Sequence, residues 1–169
     1  MRTPGTTLVV RLLDCATGQI LGEASAYNHQ IAFGGHSHQD FLRKDRPDRL
    51  EEIRQSTIDT FSEVFLTLQE QTGVSPSDCI SAVVSGNTTM IHFLLGIDAF
   101  CVFASPYAVH TLNPGFLPAR EMGLPLMGYV YCYPGRANYL GGDIVSGAVS
   151  TGIHEKELIL FFDIGTNGS

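Results

Sequence analysis

The chain has 169 residues, of which 44% are hydrophobic, and a formal net charge of -7 at pH 7. This length and apolar content suffice for one domain with a buried core. The acidic balance argues against nonspecific binding to nucleic acid or anionic membranes, which requires a basic face. Because no apolar run reaches the roughly 20 residues that span a bilayer, and no signal-peptide pattern begins the chain, we predict a cytoplasmic protein without membrane partners.

Four cysteines are widely separated along the chain and form no C-x-x-C pair. A metal or iron–sulfur site needs clustered ligands, so this chain is predicted to hold neither. We expect four buried, reduced thiols, at Cys15, Cys79, Cys101 and Cys132.

The first half of the chain predicts a β-hairpin followed by a long helix. Strand-forming residues at Thr7 to Leu13 and Gln19 to Tyr27 flank a turn sequence. The helix is expected from Pro47, which suits a first helical position, to Gly73, which can end it. Its apolar residues recur at three- and four-residue spacings, which predicts one core-facing stripe: Leu50, Ile53, Phe61, Val64, Phe65 and Leu68.

The second half predicts strands that alternate with helices. A hairpin followed by such alternation indicates an α/β domain with a mixed sheet and flanking helices. The predicted elements are a buried strand from Ile80 to Val84, a helix in "TMIHFLLG", an irregular stretch from Phe103 to Leu126, a strand in "GYVYCYPG", a helix in "GGDIVSGAVSTG" and a final strand in "ELILFFDIG".

Two Gly-Thr loops adjoin apolar strands at opposite ends of the chain. One is Gly5-Thr6-Thr7, and the other is Asp163-Ile164-Gly165-Thr166-Asn167-Gly168. Glycines let backbone N–H groups approach phosphate oxygens, and an acid at a strand end can hold magnesium directly or through water. The pair of loops therefore predicts a site for a small anionic ligand.

This order of motifs resembles the superfamily of acetate and sugar kinases, heat-shock chaperone ATPases and actin (ASKHA). Within it, the chain is most similar to the reductive activators of corrinoid proteins, at "LLDCATGQIL", "ASAYNHQIAFG", "VVSGNTTMIHFLLGID", "YPGRANYLGGDIVSGAVSTG" and "LILFFDIGTNG". The resemblance implies a ribonuclease-H-like, actin-like ATPase fold. Residues 1–159 would form the middle domain, and residues 160–169 would open a truncated second ATPase domain, so the chain is expected to be a fragment.

The resemblance also implies a function and a set of site residues. Members of the family couple hydrolysis of ATP with Mg²⁺ to the reduction of cob(II)alamin on a corrinoid partner protein, and carry a [2Fe–2S] cluster in an upstream domain absent here. Asp143 and Asp163 would be catalytic, and Asp163 would also bind the metal. The residues expected to contact the nucleotide are Gly5, Thr6, Thr7, Asn87, Thr88, Gly165, Thr166, Asn167 and Gly168. Helix capping is an equal alternative for Asp143, and it is slightly favoured over nucleotide contact for Asn87 and Thr88.

The chain also departs from the family pattern. Thr3-Pro4 stands where the first phosphate loop normally has an acid and an apolar residue, and Ser169 stands in place of Glu. We therefore predict weak or no ATP hydrolysis by this chain alone. His36 and His38 also depart from the pattern, and a solvated loop is favoured over a zinc site there. His92, on an apolar helix, is predicted to be a core or boundary histidine with its hydrogen bonds satisfied.

Two other functions stay open at this stage. The domain would be a non-catalytic module that docks a corrinoid protein or forms a homodimer, or it would be part of a small-molecule kinase of the same superfamily. An exposed sheet edge and cleft would favour dimerisation.

Overall fold

The computed structural model describes residues 7–29 and 48–155. Several predicted positions lie outside these ranges, and their predictions stay as they were: Gly5, Thr6, His36, His38, Asp163, Gly165, Thr166, Asn167, Gly168 and the final strand. In the described part of the chain, no helix is both long and apolar enough to cross a membrane.

The predicted N-terminal hairpin is confirmed. Strand β1 (Thr7–Leu13) pairs antiparallel with β2 (Ile20–Tyr27). In the turn, the Asp14 carboxylate accepts hydrogen bonds from the backbone N–H groups of Ala16 and Thr17, at 2.7 and 3.2 Å. This Asp-led turn chemistry is what the sequence predicted.

The long helix is also confirmed. Helix α1 (Asp48–Thr72) packs under the hairpin and buries the predicted stripe, with Leu50 half-buried. Contact with the hairpin is close at Gly22, where an added Cβ would lie 2.6 Å from Cγ2 of Thr72. After Thr72, Gly73 takes a left-handed φ of 73° and donates its N–H to the Gln69 carbonyl oxygen at 2.8 Å, which ends the helix.

A second, mixed sheet follows in the order β3-β5-β4. Strand β3 (Ser81–Val84) is parallel to β5 (Tyr129–Cys132), and β4 (Gly115–Pro118) is antiparallel to β5. The helices are α2 (Thr88–Leu95), the short α3 (Phe100–Phe103) and α4 (Gly142–Ser150). Short 3-10 turns occupy Pro76–Asp78 and Ile153–Glu155.

Two predictions in this region were wrong in part. The stretch predicted to be irregular contains β4, because Phe116 and Leu117 pair with β5 although glycine and prolines surround them. The strand at β3 is not buried on both faces: Ala82 and Val84 face the core, whereas the Val83 side chain is 67% exposed. A short apolar run does not reveal how many layers cover it.

The main core lies between α1, α2 and the second sheet, and contains Phe61, Ile91 and Val130. The prediction of four buried thiols is wrong for three of them. Cys132 is buried in this core, but Cys15 is exposed in the hairpin turn, and Cys79 and Cys101 are half-buried. Position in the fold decides the exposure of so small a side chain. All four thiols are free.

Candidate functional site

The loops that follow β3 and β5 meet at one edge of the second sheet. The Tyr133 N–H donates to the Val84 carbonyl oxygen at 2.8 Å, and the Asp143 N–H donates to that of Gly86 at 3.3 Å. The carboxyl ends of parallel strands lie at the same edge of a sheet, so the Gly-Asn turn after β3 meets the start of α4. The structure thus brings together Asn87 and Asp143, which are 56 positions apart in the chain.

Two consecutive glycines make this meeting sterically feasible. A Cβ on Gly141 would lie 2.6 Å from the Asn87 Cα and 2.8 Å from the Gly86 carbonyl oxygen. A Cβ on Gly142 would lie 2.5 Å from the carbonyl oxygen of Tyr133. These distances are shorter than any normal carbon contact, so larger residues would push the start of α4 away from both loops. From the sequence we assigned these two glycines only to a helix. We did not predict that they let the loops pack together.

Asn87 caps helix α2. Its side-chain oxygen accepts a hydrogen bond from the Met90 N–H at 2.9 Å, while its backbone is extended. Thr88 is buried, and its hydroxyl donates to the carbonyl oxygen of Ala137 at 3.0 Å, so it attaches α2 to the loop after β5. The capping interpretation is confirmed for Asn87. Contact of Asn87 or Thr88 with a nucleotide stays a prediction.

Asp143 presents an exposed carboxylate in the first turn of α4. The N-cap of this helix is Gly141, so the capping interpretation of Asp143 was wrong. Its Oδ1 accepts from the N–H of the next residue, Ile144, at 2.9 Å. A carboxylate is stabilised electrostatically at a helix N-terminus, and its exposure leaves it accessible to a ligand or metal ion.

Helix α4 contacts the residue that follows β3. Ala82 and Val84 of β3 pack against the core, and Ser85 comes directly after the strand. There its hydroxyl oxygen is 2.6 Å from that of Ser146 in α4. The sequence gave no signal for this serine pair, because it joins residues on two separate elements.

The start of β1 lies near the same edge of the sheet. Thr7 is paired with Tyr27 at the end of β2, and the next residue, Asn28, contacts the sulfur of Met90 in α2 at 3.7 Å. Thr7, Asn87 and Asp143 all border one groove between β1 and β3. Thr88 instead lines a separate small cavity. Three of the predicted site residues that the structure describes therefore border the same groove.

His92 lines the small cavity and is fully buried, so its predicted core position is confirmed. Its Nδ1 is 2.7 Å from the carbonyl oxygen of Thr88. Because a carbonyl oxygen only accepts, Nδ1 carries the hydrogen, and burial lowers the pKa of the ring below its ordinary 6.5. In the described part of the chain, Nε2 has no hydrogen-bond partner, and the cavity of about 10 Å³ has room for roughly one water molecule.

Comparison with known proteins identifies the family. The model of the family described as "RACo middle region" matches residues 4–156. The chain belongs to this family. A relative, the corrinoid activation enzyme RamQ of Eubacterium limosum, is 30% identical over 170 residues, which cover 97% of this chain and 28% of RamQ.

A solved structure gives the same assignment for this RACo middle region. A reductive activator for corrinoid, iron–sulfur protein matches with a TM-score of 0.85 and 36% sequence identity, over 90% of this chain and 25% of that protein. The resemblance to the reductive activators is therefore confirmed, as is a mixed α/β fold. The chain spans about a quarter of the length of these two relatives.

Proposed function

We propose that this chain is the middle domain of an ATP-dependent reductive activator of corrinoid proteins, and that it supplies one wall of the nucleotide site. In this proposal the domain has the ribonuclease-H-like fold of the ASKHA ATPases, and residues 160–169 open the second ATPase domain. Membership of the RACo middle-region family supports the activator role. The names of both relatives, a corrinoid activation enzyme and a reductive activator, agree with it.

The observation that carries the proposal is the convergence of Asn87 and Asp143 outside the carboxyl ends of β3 and β5. In open α/β sheets, ligands bind outside the carboxyl ends of the strands. Thr7 borders the same groove, so part of the predicted first phosphate loop also faces this space. The groove is open enough to admit a ligand, at about 1100 Å³.

The residues at this edge fit a magnesium nucleotide in part. Mg²⁺ keeps several water ligands and is usually held by one or two carboxylates and the substrate phosphates. Asp143 offers one exposed carboxylate, and residues 7–29 and 48–155 contain no cluster of three or more His, Cys, Asp or Glu side chains that would hold a metal alone. This chain alone thus fits one wall of a shared site.

The two side chains at this edge would have different tasks. Bound Mg²⁺ would neutralise charge on the phosphates during hydrolysis. The Asp143 carboxylate would accept hydrogen bonds from metal-bound water or from the attacking water, and so orient it. The Asn87 oxygen is engaged in the helix cap, which holds its amide group fixed and leaves the NH₂ group to donate to a phosphate oxygen.

We further propose that the intact protein uses ATP hydrolysis to reduce cob(II)alamin on a corrinoid partner protein, with electrons from a [2Fe–2S] cluster in an upstream domain. These steps would also need domains other than the middle region. A homodimer and a cytoplasmic location stay predictions.

Calorimetric titration with ATP and ADP in the presence of Mg²⁺ tests the proposal. The chain should bind more weakly than an intact two-domain ATPase, and Asp143→Asn should reduce the affinity for Mg·ATP by about tenfold, because each lost charge contact costs roughly 1–2 kcal/mol. Glu52→Gln, which changes another exposed acid on α1, is the matched control and should leave the affinity unchanged. Equal affinity in the chain and in Asp143→Asn would contradict the assigned role of Asp143. Absence of binding at millimolar Mg·ATP would contradict the expectation that this wall binds the nucleotide weakly without the second domain.

A further inference from the structure

The small cavity lies where three segments of the domain meet: helix α2, the loop before β4, and the loop that leads from β5 to α4. The two loops are joined by the N–H of Gly135, which donates to the Leu112 carbonyl oxygen at 2.7 Å. Helix α2 is joined to the loop after β5 by the Thr88 hydroxyl, which donates to the Ala137 carbonyl oxygen. A ligand in the cavity would therefore contact all three segments at once.

The ring of His92 presents an unsatisfied hydrogen-bond acceptor in this cavity. His92 is fully buried, and its Nδ1 donates a hydrogen bond to the Thr88 carbonyl oxygen at 2.7 Å. The neutral ring therefore has a lone pair at Nε2, which has no partner within residues 7–29 and 48–155. Burial of an acceptor without a donor is costly, and native structures satisfy such groups with protein atoms or ordered water. We therefore expect a hydrogen-bond donor inside the cavity.

Two hydroxyl groups in the cavity lining complete a set of hydrogen-bond partners. The Thr88 hydroxyl donates to the Ala137 carbonyl oxygen at 3.0 Å, so its oxygen is left to accept. The Thr111 hydroxyl oxygen accepts from the Asn113 N–H at 3.2 Å, so its hydrogen is left to donate. Together with Nε2 of His92, the lining offers two acceptors and one donor. A buried water molecule typically makes about three hydrogen bonds, which matches this set.

The chemistry of the lining favours water over a metal ion. In the described part of the chain, no carboxylate or thiolate lines the cavity, and no cluster of three or more His, Cys, Asp or Glu side chains would hold a metal. A divalent ion would be buried there without an opposite charge beside it, which is strongly unfavourable. The cavity volume of about 10 Å³ has room for roughly one water molecule.

We propose that this cavity is a binding site for one ordered water molecule, which joins His92 to Thr88 and Thr111. The water donates one hydrogen to Nε2 of His92 and the other to the Thr88 hydroxyl oxygen. It accepts a hydrogen bond from the Thr111 hydroxyl. Helix α2 and the loop before β4 are thereby linked inside the domain, and the buried acceptor at Nε2 is satisfied.

The cavity adjoins both sides of the candidate nucleotide edge. Thr88, which lines the cavity, follows Asn87 in the chain, and Gly142, which also lines it, precedes Asp143. A water that fills the cavity therefore fixes the separation of the two backbones that carry Asn87 and Asp143. His92 is thus a positioning residue, which acts through the water and does not touch a ligand. Only this consequence for the nucleotide edge rests on the proposed function.

A crystal structure of the chain tests the water directly. Density for one water molecule is expected about 3 Å from Nε2 of His92. A dry cavity would overturn the proposal. Density with ligand distances of about 2.1 Å would identify a metal ion and would also overturn it.

Substitutions of His92 separate the acceptor at Nε2 from the bulk of the ring. His92→Gln keeps an amide group that can accept from the water, whereas His92→Leu keeps much of the bulk but offers no acceptor. The water should be retained in His92→Gln and lost in His92→Leu. The matched control is His110→Leu, which changes an exposed histidine whose ring centroid lies 6.4 Å from that of His92, and it should keep the water. An unchanged water in His92→Leu would overturn the role of Nε2.

Hydrogen exchange measures the effect of the water on the nucleotide edge. The Asp143 amide, which is bonded to the Gly86 carbonyl oxygen, should exchange at least about tenfold faster in His92→Leu than in the natural chain or in His92→Gln. Amides in the middle of α1 should change much less. Equal rates at Asp143 in all three proteins, or an equal increase throughout α1, would overturn the positioning role.

A second pair of variants covers the case in which His92→Leu fails to fold. Thr111→Val removes the hydroxyl at a half-buried position, and Thr111→Ser keeps it. The same faster exchange at Asp143 is expected in Thr111→Val and not in Thr111→Ser, and equal exchange in the two would overturn the proposal. None of these measurements uses a nucleotide, so their outcome is distinguishable from a failure of the proposed function.

Discussion

The backbone N–H of Asp143 donates a hydrogen bond to the carbonyl oxygen of Gly86 over 3.3 Å, and this contact attaches the start of α4 to the loop after β3. Both elements come from opposite ends of the second half of the chain. Because this contact holds together the edge at which the proposed site lies, variants that disturb it should change the stability of the domain.

Gly141→Ala should destabilise the domain. The new methyl group would lie 2.6 Å from the Asn87 Cα, and both atoms belong to constrained backbone rather than to a flexible side chain. We expect a loss of about 1–3 kcal/mol in the free energy of unfolding, measured by urea denaturation. Gly86→Ala is the matched control: its methyl group would come no closer than 3.6 Å to a side chain, so a similar loss in both variants would contradict the steric explanation.

Asn87→Ala should lower stability through loss of the α2 cap. The carboxamide oxygen accepts from the Met90 N–H, and removal of such a cap costs about 0.5–2 kcal/mol. Asn87→Asp retains an oxygen acceptor and should keep most of the stability in the same urea experiment. Equal losses of stability in Asn87→Ala and Asn87→Asp would show that loss of the helix cap does not cause the destabilisation.

The domain should lose stability at mildly acidic pH because of His92. Burial, the largest cause, lowers the pKa of His92 in the folded state below its ordinary 6.5, so the unfolded chain binds a proton more readily. The contribution of this histidine is therefore fully present above about pH 6.5 and decreases as pH falls below it. Unfolding free energies at pH 7.5 and 5.5 should differ more in the natural chain than in His92→Gln, which does not titrate. An equal pH dependence of the unfolding free energy in the natural chain and in His92→Gln would contradict this role of His92.

The four thiols should react in the order of their exposure. Burial raises the pKa of Cys132 to about 11, so this thiol stays protonated and inaccessible at neutral pH, whereas Cys15 is exposed. Iodoacetamide at pH 7.5 should label Cys15 first and Cys132 only after unfolding, as followed by peptide mass spectrometry. Cys15→Ser should remove the fastest phase, and labelling of Cys132 in the folded chain would contradict its burial.

Local patterns predicted most elements well. The 25-residue α1, its buried stripe and its glycine end follow from helical periodicity and capping, which are properties of neighbouring residues. The strand β4 was missed because Gly115–Pro118 is short and its pairing with β5 is a long-range contact. The exposure of Val83 was missed for a similar reason, since apolar character does not state whether a second layer covers it.

By itself, the sequence determined the hairpin, the main helices, the cap at Asn87, and the motifs that place the chain in its family, because each is encoded over a few adjacent positions. Only the tertiary structure decided that Asn87 meets Asp143, that Gly141 and Gly142 must lack side chains, and that Ser85 after β3 meets Ser146 in α4. It also left β1 and β3 on opposite sides of an apolar groove. These features depend on the path of the backbone between distant elements. Packing of the whole core determines that path, so no short stretch of residues encodes it.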